Sequence, residues 1–415
     1  MKTLKSFITE SKNTHVQHIE DRVLYGGVSG TREAINALRA LRDMLSGSAS
    51  SSYNVTVKYD GAPAVFCGYV PQGEVNEGKF FVAKKGLFNK APKYYTTPQE
   101  VDADTSGDLA AKLKVCLKEL PKVVPEGSDI FQGDLMFTAS DLKKQDIDGQ
   151  TFFTFHPNTI MYAVPANTPE GKEVKAARMG IVFHTRYRGK TFADMRASFD
   201  VRKAEFKKSR SVWLQDAHIK DQSGRVTLTK AETDEITAVI SDAGRIFQRI
   251  SSSTIKEIES TPSLAQTIET FNNTFVRSGT AITDTAKHTD RLIQYIRDKY
   301  QKEIDARKTA AGKDKQQKEL DRFLSFFSPT NKANLKMMFD LQNALVNAKL
   351  LIMRKLNNLM TSKTFIKTRN GYKVVSHEGF VAVDHLSNGA VKLVDRLEFS
   401  HSNFSPDVIK GWEKS

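Results

Sequence analysis

The five residues Val57-Lys58-Tyr59-Asp60-Gly61 carry the sharpest chemical signal in the chain. A lysine closes the β-branched run Tyr53–Lys58, and Asp-Gly turns the chain directly after it. Lysine is ordinarily a solvated surface residue. Here Val55 and Val57 precede it, and Ala62, Pro63, Ala64 and Val65 follow. An apolar setting disfavours the ammonium form and lowers the pKa, which frees a lone pair, so Lys58 is expected to be a nucleophile with a depressed pKa. Taken alone, K-x-D-G is also an ordinary hairpin turn, and the other motifs must decide. Rival chemistries are thinly represented. The nine histidines are scattered, and His15 and His18 have no third metal ligand near them in sequence. His184 and His377 sit beside the motifs described below as polar neighbours. There is no G-x-x-x-x-G-K-[ST] loop, which argues against a P-loop ATPase. The two cysteines, Cys67 and Cys116, are too few for a disulfide framework or a Cys-based zinc site, and they fit a reducing, intracellular setting.

The elements that must position these residues fall into blocks. The 415 residues suffice for one large domain with an insertion, or for two to three domains. Residues 11–52 form an N-terminal helical segment, in which Ala34, Ile35, Leu38, Leu41 and Leu45 share one face, with Thr31 as N-cap and Gly47 beyond the end. From 53 to 190 the texture is strand-like, in runs at Tyr53–Lys58, Ala64–Tyr69, Lys79–Lys84, Ile130–Gln132, Thr159–Val164 and Gly180–Thr185, with one helix at about 108–119. From 191 to 365 the signal is helical. Leu292, Ile296, Tyr300 and Ile304 repeat every four residues, and Met338, Leu341, Leu345, Ala348, Ile352, Leu356 and Leu359 repeat at three and four. Within this block, 307–319 reads as a turn, a mobile loop or a solvated helix, and Ser328-Pro329 as a break. Residues 366–415 return to strands at Tyr372–Ser376, Phe380–Val383 and Ala390–Val394, with turns at His377-Glu378-Gly379 and Ser387-Asn388-Gly389. A β-rich unit is thus interrupted by helices and then completed.

In this order the motifs resemble those of the covalent nucleotidyltransferase superfamily, which includes ATP-dependent DNA ligases, RNA ligases and mRNA capping enzymes. Lys58-Tyr59-Asp60-Gly61 resembles the nucleophile motif, and Lys84-Lys85-Gly86 the basic motif that follows it, where arginine is commoner. Phe131-Gln132-Gly133-Asp134 resembles the acidic strand, with Asp in place of Glu. Ile160-Met161-Tyr162-Ala163-Val164 is similar to the aromatic strand, Glu378-Gly379-Phe380-Val381 to E-G-x-V, and Val391-Lys392-Leu393 to the last lysine strand. Gly180-Ile181-Val182 competes for the E-G-x-V place, but Met179 brings no carboxylate, so Gly180–Gly189 is read as the strand before the insertion. The gap from Asp134 to Glu378 is far longer than the family usually shows.

The resemblance implies an α+β fold: a nucleotidyltransferase (ligase adenylation) fold of antiparallel sheets with a large all-α insertion. It implies ATP as substrate and Mg²⁺ as metal, with Mn²⁺ as a substitute. Lys58 would attack the α-phosphorus and carry AMP, with Lys392 beside the transferring phosphate. Thr56, Asp60, Gly61, Lys84, Tyr162, Phe183 and Lys392 would contact the nucleotide, with Tyr162 stacking on adenine and Phe183 second in line. Asp134 and Glu378 would lie at the metal. The implied product is a joint between 5′-phosphate and 3′-hydroxyl ends. Only 23 residues follow Lys392, too few for the OB domain of DNA ligases and capping enzymes, so the expectation leans toward RNA ends.

Composition agrees with a polyanionic partner. The formal charge is +14, and basic residues such as Arg202, Lys203, Lys207, Lys208 and Arg210 fall in the expected helical block. No run of 18 or more apolar residues suggests a membrane span. Met1–Glu10 resembles the capsid-targeting leaders of T-even-type phage head proteins, with Ile8-Thr9-Glu10 fitting their cleavage pattern. The strands and motifs also look like those of tailed-phage proteins. The implied location is the host cytoplasm, with packaging in a phage head and injection as a second route. Two alternatives stand beside an RNA ligase. One is a non-catalytic nucleic-acid-binding or internal virion protein on a ligase-like fold. The other is a DNA ligase or another nucleotidyltransferase.

Overall fold

The computed structural model describes residues 16–47, 53–127, 129–147, 149–217, 228–358, 363–369, 371–384 and 390–411. The leader Met1–Glu10, His15, Leu359 and the expected turn at Ser387-Asn388-Gly389 lie outside the described residues. Among those described, the strands are β1 (Tyr53–Lys58), β2 (Ala64–Tyr69), β3 (Phe80–Ala83), β4 (Ile130–Thr138), β5 (Lys143–Ile147), β6 (Gln150–Phe155) and β7 (Ile160–Pro165), followed by β8 (Met179–Arg188), β9 (Arg196–Ser198), β10 (Val212–Asp216), β11 (Lys363–Thr368), β12 (Gly371–Val375), β13 (Gly379–Asp384) and β14 (Ala390–Val394). The α-helices are α1 (Arg22–Tyr25), α2 (Gly27–Leu45), α3 (Pro98–Asp104), α4 (Gly107–Glu119), α5 (Pro169–Ala176) and α6 (Lys230–Arg249), then α7 (Ser252–Glu259), α8 (Pro262–Arg277), α9 (Thr285–Ala306), α10 (Ala310–Phe326), α11 (Pro329–Asn357) and α12 (His401–Phe404).

The molecule is mixed α/β, and its strands form three largely antiparallel sheets. The first has the order β1-β13-β14, the second β10-β8-β4-β2-β3 with β9 on β8, and the third β12-β11-β7-β6-β5. One pair departs from the antiparallel expectation: β10 runs parallel to β8, with Val212 opposite Met179. The first sheet joins the two ends of the described chain, since Lys58 stands opposite Gly379 and Val381 opposite Lys392. Side chains alternate across a strand. One face of this sheet therefore buries Val55, Val57, Phe380, Ala382, Val391 and Leu393 against Leu38, Leu345 and Ile352 of α2 and α11. The opposite face is left for Thr56, Lys58 and Lys392.

The helices form because their apolar residues recur at helical spacing and their ends are capped. Thr229 and Glu232 make a capping box that starts α6, and Ser328 caps α11 just ahead of Pro329. Gly312 falls inside α10, whose face there is exposed, so the stretch 307–319 is largely a solvated helix.

Four sequence expectations need correction. Thr31 does not cap α2; it lies within the helix, buried, and its Oγ1 donates to the Gly27 carbonyl at 2.8 Å. The helix instead begins at Gly27, whose φ of +57° suits glycine. The helical block does not begin at 191: β9 and β10 belong to the second sheet, and the helices run from Lys230 to Asn357. Arg202, Lys203, Lys207, Lys208 and Arg210 accordingly lie between β9 and β10 and on no α-helix, with Lys203 opening a single 3-10 turn (Lys203–Glu205). Finally, β11 starts at Lys363 within the span expected to be helical, where Thr364-Phe365-Ile366 supply β-branched and aromatic residues.

Candidate active site

Lys58 ends β1 on the face of the first sheet turned away from the helices. The chain then turns through Asp60–Pro63 onto β4: Ala62 N–H donates to the Leu135 carbonyl at 3.0 Å, and Leu135 N–H to the Pro63 carbonyl at 3.1 Å. This turn sits directly on Asp134. A Cβ on Gly61 would meet the Asp134 Cβ at 2.5 Å and the Met136 Sδ at 3.0 Å, so the Gly in the motif is fixed by close approach. Glu378, one residue before β13, forms an ion pair with Lys58 Nζ. The Lys58 side chain keeps 29% of its exposure and that of Glu378 16%, so the pair is lodged in an open crevice.

Four charges share this crevice. Burial works to lower the Lys58 pKa, but the Glu378 carboxylate, the hydrogen bond to it, and the charges of Asp134 and Asp60 outweigh burial, and the net direction is up. This overturns the expected depressed pKa: the valines that flank Lys58 in sequence point to the opposite face, and carboxylates surround the amine. Burial raises Glu378, with Asp60 and Asp134 adding to the rise against the opposing pull of Lys58. Lys392 is lowered by burial and by the nearby Lys58 cation, with Glu378 and Asp21 opposing. The Lys58–Glu378 pair is therefore within electrostatic reach of Asp134 on one side and of Lys392 on the other.

The remaining expected contacts divide. Asp60 is not free for a ligand: its Oδ1 accepts from Asn158 Nδ2 at 2.6 Å, and its Oδ2 from the Thr159 and Ile160 N–H groups at 2.8 and 2.9 Å. It clamps the start of β7 to the turn after Lys58. Tyr162 is 1% exposed, its hydroxyl oxygen accepts from the Asp60 N–H at 2.6 Å, and its ring stacks on Phe155. Phe183 is fully buried and stacks on Phe206 at 4.7 Å. Neither ring is open to a base, which corrects the expected stacking at both positions. Thr56 is buried and donates to the Val381 carbonyl at 3.2 Å. Lys84 is drawn elsewhere, to Asp104 at 2.9 Å and over the Tyr95 ring at 5.7 Å.

Residues 13–407 match the family described as "Family of unknown function (DUF6267)". The chain belongs to this family. Curated proteins and solved structures give no match. In this DUF6267 member no group of three or more His, Cys, Asp or Glu side chains is arranged to hold a metal ion among the described residues, and no described helix is long and apolar enough to cross a membrane.

Two features of the site escaped sequence reasoning. A β-bulge in β8 lets Gln132 pair with Thr185 and Gly133 with Phe183, leaving His184 as the extra residue. Bulges re-aim side chains, and here His184 Nε2 comes to 3.7 Å from Asp134 Oδ2 while Nδ1 meets the Thr185 hydroxyl at 2.7 Å. The sequence places His184 beside the motifs, but the bulge that turns it has no signature in the strand pattern. The second feature is the segment before α1. Gln17 accepts a hydrogen bond from the Lys392 N–H at 2.9 Å, and His18 bridges in parallel to Lys392. A pairing across more than 370 residues leaves no local trace.

Proposed function

We propose that this protein is an ATP-dependent polynucleotide ligase that works through a lysyl-AMP intermediate on a nucleotidyltransferase fold, with RNA ends as the first substrates to test. The observation that carries the reading is the Lys58–Glu378 pair, brought together across 320 residues with Asp134 and Lys392 near enough to act on its charges. Within this reading the Lys58 ammonium first yields a proton, for which Glu378 is the neighbouring acceptor. Nζ then bonds to the α-phosphorus of ATP as the bond to pyrophosphate breaks. Lys392 supports the charge that gathers on the transferring phosphate. AMP passes to a 5′-phosphate, and a 3′-hydroxyl displaces it to leave a phosphodiester.

Asp134 offers a hard oxygen donor near the same amine and would hold Mg²⁺, or Mn²⁺ in its place, together with waters and substrate phosphates, whereas Glu378 could join it only before taking the Lys58 proton. When bound, the metal would supply a Lewis acid for the phosphate oxygens. The enclosed Tyr162 and Phe183 favour a second reading, in which a ligase-like scaffold binds nucleic acid or serves in a virion without chemistry.

Incubation with α-³²P-labelled ATP or GTP, followed by a denaturing gel, decides between them. A labelled band with ATP that Lys58→Ala abolishes supports the ligase, and a GTP-specific band redirects it to guanylyl transfer. No band with either nucleotide sinks the enzymatic reading. Nicked RNA, nicked DNA and single strands then assign the acceptor.

A further inference from the structure

The third sheet has one face packed into the molecule through Phe153, Phe155, Tyr162, Val164 and Ile366, and a second face of different character. Register fixes which residues share that second face, because directly opposed residues point the same way. Lys143 stands opposite Thr154, Thr154 opposite Ala163, and Ala163 opposite Lys363. Met161, Phe365 and Val374 form a neighbouring row, and Lys367 stands opposite Tyr372. Phe152, Met161, Ala163 and Phe365 pack into a small floor. Lys363 Nζ lies 5.3 Å from the Phe152 ring centroid, and Tyr372 meets Phe365 edge-on at 6.4 Å.

Above that floor, Tyr372 keeps 48% of its surface exposed and Val374 72%, two of the few large apolar side chains so open among the described residues. Lys143 and Lys363 are exposed, and Lys367 is half-buried. Among the described positions the rows of this face include no Asp or Glu, so its three lysines meet no carboxylate there. A face of this kind offers a ring to a π surface and cations to a backbone of negative charge. Double-stranded nucleic acid hides its bases from such a face, whereas a single strand presents both.

We propose that this face binds single-stranded nucleic acid, with a base on Tyr372 and phosphates on Lys363, Lys367 and Lys143. Its β12 end lies three residues before Glu378, a span of at most about 10 Å of chain. The crevice adjoins the other face of the sheet, where Tyr162 meets Tyr59 and His377, so a strand leaving Tyr372 would reach it by passing round the β12 edge. Only this destination rests on the ligase reading; the binding itself does not.

The test uses the full chain, fluorescently labelled single-stranded and duplex RNA and DNA of equal length, and anisotropy titrations across a salt series. The expected result is preferential single-strand binding, weakened roughly 5- to 100-fold by Tyr372→Ala and restored by Tyr372→Phe. Lys143→Ala/Lys363→Ala/Lys367→Ala should lower the salt slope by about 2. All these positions lie at the surface, and nucleotide labelling of Lys58 in the same variants should match the parent protein. Unchanged single-strand affinity in both the Tyr372→Ala and the triple-lysine variants would overturn the proposal, as would tighter binding to duplex than to single strands. Absence of Lys58 labelling alongside Tyr372-dependent binding would sink the ligase reading and leave this one standing.

Discussion

Each of Lys58 and Glu378 favours the charged state of the other, although burial leaves Glu378 raised on balance, and the neighbours of each decide what happens when one is removed. Without the Glu378 carboxylate, Lys58 keeps its burial and the Lys392 cation but loses its strongest attraction. Glu378→Gln should therefore lower the Lys58 pKa, which the pH dependence of Lys58 modification by an amine-selective reagent would measure. An unchanged or higher midpoint would show that Asp134 and Asp60 alone govern the amine. The nucleophile candidate was legible because K-x-D-G places a lysine between a strand and a tight turn. Its electrostatics were not, because the flanking valines say nothing of carboxylates arriving from β4 and from the residue before β13. Tyr162 was similarly legible as part of an aromatic strand, while its enclosure by Tyr59, Phe155 and His377 depends on contacts between distant segments.

At the scale of elements, the segment before α1 is fastened to α11 and to the residues after β14 by buried charges. Lys349 Nζ donates to both Glu20 carboxylate oxygens at 2.9 Å, with the Lys349 side chain 1% exposed and that of Glu20 6%. Arg396 reaches Asp21 at 3.1 Å. Removing one partner strands the other charge, so Lys349→Met alone should cost about 3–5 kcal/mol in denaturant unfolding. Glu20→Gln combined with Lys349→Met should recover much of that loss. Equal losses in the single and double variants would show that the pair contributes net stability of its own. Strands such as Ala64–Tyr69 and Ala390–Val394 were legible from β-branched residues bounded by turns, and α11 from its long apolar stripe. By contrast, β5 carries Lys143, Lys144 and Asp146, and it is a strand only because β6 pairs with it. Likewise β10 takes its place through parallel pairing with β8.

Across the whole molecule, several buried histidines tie stability to acid. Burial lowers His18 to about 3, and His288 and His377 to about 4. Below about 6.5 the unfolded chain takes up protons that the folded chain refuses, so stability present above that pH is lost as pH falls toward 4. Each histidine contributes a slope of about 1.4 kcal/mol per pH unit across its window. Thermal unfolding from pH 7.5 to 4.5 should show a steady fall, shallower in His288→Gln once that variant's own offset is subtracted. Because buried Asp21, raised to about 7, adds stability as pH falls and opposes this slope, the deciding outcome is the difference: a His288→Gln profile parallel to the parent's would contradict the buried, neutral assignment of that ring.

The pairing of β1 with β13 has a consequence for biosynthesis. Lys58 and Glu378 are 320 positions apart. At ribosomal rates of about 5–20 residues per second, β1 waits roughly 16–64 s for the strand that will lie beside it. Throughout that interval the nascent chain must shield an exposed edge, and the crevice at Lys58 takes form only once Glu378 and β13 have been made.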